Sequence, residues 1–168
     1  AVELFYKTLK RLSADGKRPV IAIAGNHDSP NLIDAPDPLA RECGILLIGY
    51  PNAIVQPIQL PNWEIINSNE GFLEIQFKAY SYPIRILHTP YANEIRLKQY
   101  LGENKEDALN EVLAENWKII SDQFCDTSGV NLLTTHLYMN QRGKELIEEP
   151  EGEKQIKIGN ADMIYSDA

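Results

Sequence analysis

The 168 residues are 43% hydrophobic, enough for one domain with a sizeable core, and nothing in the composition suggests a disordered or fibrous chain. Its 24 acidic residues outnumber 16 basic ones, and the formal charge of -8 argues against a surface built for indiscriminate nucleic-acid binding. The two cysteines, Cys43 and Cys125, have no zinc or disulfide spacing and fit a reducing, cytoplasmic setting, and no apolar run is long enough to span a membrane.

Val2, Leu4, Phe5, Leu9 and Leu12 recur at helical spacing, so the chain is expected to open inside a helix, with neither a signal peptide nor a convincing cap. That start reads as a cut. Lys7, Lys10, Arg11, Lys17 and Arg18 crowd the first twenty residues and read as a solvated helix face, a local basic patch being the alternative. Asp15-Gly16 ends the helix and Pro19 leads into an apolar run, residues 20–23, that reads as a buried strand.

Polar chemistry begins abruptly where that run stops, in Ala24-Gly25-Asn26-His27-Asp28-Ser29-Pro30. In open α/β sheets functional groups collect at the carboxyl ends of strands, where loops vary over a rigid base. Asn26 offers a hard amide oxygen to a cation, and His27 an imidazole that can donate a proton or a hydrogen bond to a phosphate oxygen. Asp28 is placed to orient a neighbour or to cap the segment after Pro30. Taken alone, the same stretch also reads as a turn followed by a helix start.

Residues 32–42 are weakly helical around Pro36 and Pro38, and Cys43-Gly44 stops them before a short apolar strand at 45–48. Strand-like stretches come next at 53–60, 63–67, 72–78 and 83–87. In the third of these Phe72, Glu74, Gln76 and Lys78 alternate with Leu73, Ile75 and Phe77, as in a half-exposed antiparallel strand, so this region is expected to form a hairpin or meander. His88, before Thr89-Pro90, reads as a polar strand terminus and is not assigned to the site.

From Asn93 the pattern is helical, first through Ile95, Leu97 and Leu101, then, past Gly102, through Ala108, Val112, Leu113, Trp117, Ile120 and Phe124. A last clear strand, 130–135, runs into His136 and repeats the arrangement of the opening element. Residues 141–157 are charged and poor in aromatics, and 148–153 read as an exposed loop. Asn26 and His136 thus end two strands, and a nitrogen-plus-oxygen donor set suits Mn²⁺, Fe²⁺ or Zn²⁺ better than Ca²⁺.

Gly25-Asn26-His27-Asp28 resembles the Gly-Asn-His-Asp/Glu motif of calcineurin-like metallophosphoesterases, and Thr135-His136 the isolated strand-end histidine that comes after it. The sequence is most similar to the SbcD family of DNA-repair exonuclease subunits, through Gly25 to Pro30, Cys43-Gly44-Ile45, Pro90-Tyr91 and Thr135-His136-Leu137 in order. That resemblance implies a layered α/β metallophosphoesterase sandwich with a mixed sheet and flanking helices, and a two-metal phosphodiesterase using Mn²⁺. It also implies that Asn26 and His136 ligate one metal, that His27 sits by the scissile phosphate, and that Asp28 orients His27. DNA would be the substrate, in exonuclease and endonuclease reactions of DNA repair and recombination, and an SbcC-like ATPase the partner. A metallophosphoesterase acting on another phosphoester and a non-catalytic scaffold are the alternative readings.

The departures from the family pattern matter as much. Asp-x-His, Gly-Asp-x-x-Asp and Gly-His-x-His motifs are absent; the only histidines are His27, His88 and His136. Residues 1–168 are therefore expected to be one central piece of a nuclease domain, cut at both ends. Most ligands of both metals would lie outside it, and the piece is expected to be inactive by itself and to self-associate through uncovered apolar surface.

Overall fold

The computed structural model describes residues 2–141, 143 and 163–165. The expected exposed loop at 148–153 lies outside the described residues. Helix α1 (Val2–Ser13) leads into strand β1 (Val20–Ile23), followed by α2 (Pro30–Asp34), α3 (Asp37–Glu42) and β2 (Ile45–Ile48). Strands β3 (Trp63–Asn69), β4 (Phe72–Phe77) and β5 (Ile84–Thr89) come next, then α4 (Glu94–Leu97), α5 (Lys105–Phe124), β6 (Val130–Thr135), β7 (Tyr138–Asn140) and β8 (Met163–Tyr165).

The period-2 alternation of the strands dictates the layers. In β2, Ile45 and Leu47 join Leu9 of α1 and Ala40 of α3, while Leu46 and Ile48 turn the other way. There they meet Trp63, Ile65, Leu73, Ile75 and Ile86 from the second sheet. That sheet has the order β3-β4-β5-β6, antiparallel except for the parallel β5–β6 pair. Its far face carries α5, where the Phe72 and Phe124 rings stack with centroids 4.5 Å apart. Helices, the parallel β1–β2 pair, a mixed sheet and a helix thus form successive layers, an arrangement compatible with a metallophosphoesterase-like sandwich.

Trp63 locks the two sheets together: it is fully buried and its indole N–H donates to the Gly16 carbonyl at 2.9 Å. The turn before β2 needs glycine at position 44, where φ is +75° and a Cβ would lie 2.8 Å from the Gly16 Cα.

Four expectations are corrected. Residues 53–60 form no strand beyond a single bridge between Gln59 and Glu64; Pro57 and Pro61 lack the N–H groups a ladder requires. Strand β1 is half-buried, because β2 is its one strand partner among the described residues. Phe72, placed on the half-exposed face of β4, is buried there by Phe124. Ile95 does not join an apolar stripe; α4 is a single turn, ended by Lys98 at φ 55°, and leaves Ile95 82% exposed.

Candidate active site

Three backbone hydrogen bonds bring two distant strand ends together. The Ala24 N–H donates to the Ile48 carbonyl at 2.9 Å, and the Ala24 carbonyl accepts from Tyr91 N–H at 2.9 Å. His136 N–H donates to the Thr89 carbonyl at 3.1 Å. The ends of β1, β5 and β6 are therefore neighbours, and the loops leaving β1 and β6 meet.

At that meeting point the Asn26 Oδ1 lies 3.3 Å from the His136 Nε2, across a sequence separation of 110 residues. Both side chains are exposed. Gly25 is what permits the approach: a Cβ there would lie 3.0 Å from the His136 Nε2 and 3.3 Å from the Asp28 carboxylate. Among the described residues the His27 ring has neither a hydrogen-bond partner nor an ionic contact, so it is available to a ligand. Asp28 does not hydrogen-bond to His27. Its Oδ2 instead accepts from the Gly25 N–H at 2.7 Å, and the Asp28 N–H donates to the Gly25 carbonyl at 3.2 Å, so the carboxylate closes the turn on itself.

The turn is also held from behind. Arg96, 8% exposed, donates from Nη1 to the Gly25 carbonyl at 2.9 Å and from Nη2 to the Asp28 carbonyl at 2.7 Å and the Asn26 carbonyl at 3.4 Å. Its guanidinium lies over the Tyr91 ring, 5.0 Å from the centroid. Nothing in the sequence singles out Arg96, since one arginine in a short helical segment carries no sign that its partners lie about 70 residues earlier. Asn93 caps the same helix, its Oδ1 accepting from the Arg96 N–H at 2.9 Å. Asn93→Ala is expected to cost about 1 kcal/mol in urea unfolding, the usual value of a lost N-cap.

Two donors arranged in this way fit one corner of a cation site. Neighbouring ligands on an octahedral ion with bonds of about 2.1 Å stand about 3 Å apart, close to the 3.3 Å seen here. Among the described residues no group of three or more His, Cys, Asp or Glu side chains is arranged to hold a metal ion. A separate cleft of about 230 Å³ runs beneath α5, lined by Trp117, Phe124, Asn116 and Gly71, and includes none of the residues from Gly25 to Asp28. No helix among the described residues is long and apolar enough to cross a membrane.

Over 173 aligned residues the chain is 29% identical to the D subunit of nuclease SbcCD from Bacillus subtilis (strain 168). The match takes in 100% of this chain and 38% of that relative, so the chain spans well under half of the relative's length. The comparison agrees with the resemblance drawn from the Asn-His loop and with an internal piece of such a protein. No protein-family model matches the chain.

Proposed function

We propose, from the similarity to a nuclease subunit and from the meeting of Asn26 with His136, that this chain is the central part of a metal-dependent phosphodiesterase domain. The full-length protein would hydrolyse phosphodiester bonds at DNA ends in repair and recombination, in the cytoplasm, together with an SbcC-like ATPase. The observation that carries the reading is the 3.3 Å approach of an amide oxygen and an imidazole nitrogen beside an exposed histidine without a partner among the described residues.

In this reading Asn26 and His136 hold one of two divalent cations; the mixed nitrogen and oxygen set suits Mn²⁺, Fe²⁺ or Zn²⁺, and Mn²⁺ is the ion that the family resemblance implies. When bound, the cations supply charge neutralisation at the phosphate and a water of lowered pKa. His27, at the outer surface of the same turn, donates a hydrogen bond or a proton to the phosphate or its leaving oxygen. Asp28 keeps the turn closed through the Gly25 N–H. The remaining ligands come from sequence beyond residues 1–168, and this piece alone cleaves nothing at a useful rate. The exposed Leu132 and Leu133 on β6 and Leu4 on α1 offer surface for self-association.

Calorimetric titration with Mn²⁺ tests the assignment. The full-length gene product is expected to take up two ions, and an Asn26→Ala, His136→Ala double variant to lose roughly 10- to 100-fold or more in affinity at one of them. Residues 1–168 alone are expected to take up no tightly bound pair. Unchanged binding in the double variant would overturn the ligand assignment. Two-ion uptake with phosphodiesterase activity in residues 1–168 would overturn the fragment reading.

A further inference from the structure

Burying an arginine is costly unless its donors are met, and Arg96 has no carboxylate within ion-pair distance among the described residues. Its compensation is unusual in where it comes from. Three of its contacts are to backbone carbonyls of one four-residue turn, those of Gly25, Asn26 and Asp28, and the fourth is to the face of Tyr91. The planar fork of a guanidinium can serve several fixed acceptors at once; the single ammonium of lysine cannot.

The segment that carries Arg96 is anchored to the same turn by its backbone. Tyr91 N–H donates to the Ala24 carbonyl at 2.9 Å, one residue before the turn begins, and Asn93 fixes the start of α4. Residues 91–96 therefore form a bracket under residues 24–28. Within the turn the carbonyls of Gly25 and Asp28 flank Asn26 and His27, so a group that grips both carbonyls sets the direction of the two side chains between them.

The grip also sorts the oxygen atoms. Backbone carbonyls and carboxylates are hard donors that compete for a divalent cation. Here three carbonyls face Arg96 and the Asp28 carboxylate faces the Gly25 N–H. The side-chain oxygen of Asn26 is held by neither grip and faces His136.

We infer that Arg96 is the positioning residue of this site: by holding the carbonyls of Gly25, Asn26 and Asp28 it fixes Asn26 toward the cation position and His27 toward the phosphate. The kinetic consequence rests on the phosphodiesterase reading proposed above; the structural one does not. The test uses the full-length protein with Arg96→Ala and, to keep packing and charge, Arg96→Lys. Two readouts run in parallel, amide hydrogen exchange by mass spectrometry over residues 24–29 and Mn²⁺-dependent hydrolysis of a phosphodiester.

Both variants are expected to exchange at least roughly tenfold faster in that turn, with the β4 peptide unaltered. Both are expected to lose about 10- to 100-fold in kcat, the cost of a misplaced reacting group, with KM changed less than about threefold. Millimolar guanidinium should restore part of the activity of Arg96→Ala and none of Arg96→Lys, whose side chain fills the space. A general structural defect would not give that pattern. Unchanged exchange in residues 24–29 overturns the inference, as does a kcat equal to that of the parent in an active enzyme. A parent protein without phosphodiesterase activity overturns the proposed function, while the exchange experiment still decides on the bracket.

Discussion

At pH 7 a His88→Leu variant is expected to be at least as stable as the parent. Between pH 6.5 and about 4 it is expected to escape an acid loss of about 3 kcal/mol that the parent suffers. His88 has no exposed surface, and neither Nδ1 nor Nε2 has a hydrogen-bond partner. Alternation along β5 puts it on the parity of Ile84 and Ile86, opposite to that of Leu87 and Thr89, and it also borders the cleft beneath α5. Burial pushes the imidazole down from 6.5 to about 4, because a charged ring would lose its hydration without gaining a partner.

The sign depends on which state takes up the proton. Between 6.5 and about 4 the unfolded chain protonates His88 and the native chain does not. Stability is therefore whole above 6.5, falls as the pH drops, and the full loss is reached below about 4. Each pH unit of depression is about 1.4 kcal/mol, which gives the figure above. Replacing an unpartnered buried polar group by an apolar one of similar volume removes a desolvation cost, so no penalty is expected at neutral pH. Urea unfolding of parent and variant at pH 7, 6, 5 and 4.5 checks this. Carboxylates titrate in both proteins, and only the difference between the two curves reports His88; parallel curves would overturn the assignment.

How much of this was legible in the sequence depends on the range of the forces involved. Strands β2, β4, β5 and β6 were readable, read at 45–48, 72–78, 83–87 and 130–135, because alternation and flanking glycine or proline are local. The turn from Gly25 to Asp28 was readable for the same reason. Residues 53–60 misled because Val55, Ile58 and Leu60 are apolar and do pack on the core, while Pro57 and Pro61 deny them a ladder. His88 looked like a strand terminus, and only the packing of two sheets shows it sealed within β5. Arg96 was invisible because a guanidinium meeting three carbonyls leaves no pattern in the order of residues. The convergence of Asn26 and His136 came to the sequence reading by resemblance alone; hydrogen bonds from Tyr91 to Ala24 and from His136 to Thr89 are its physical cause.

Under the phosphodiesterase reading proposed above, His27→Ala in the full-length protein is expected to lower the rate of phosphodiester hydrolysis on DNA by roughly 10²- to 10⁴-fold, the usual worth of a positioned proton donor. The turn around it should survive, since Arg96 and Asp28 hold its backbone without using the His27 ring. The cation uptake proposed for Asn26 and His136 should survive with it. The loss should also depend on the leaving group. A DNA alkoxide leaves as a strong base and needs a proton, whereas a nitrophenolate does not. If His27 protonates the leaving oxygen, the variant will keep most of its activity on a nitrophenyl phosphodiester. If His27 instead stabilises charge on the non-bridging oxygens, both substrates will suffer alike, because that charge is present whatever group departs. A variant as active as the parent on both substrates would remove His27 from the chemistry and leave Asn26 and His136 as the assigned part of the site.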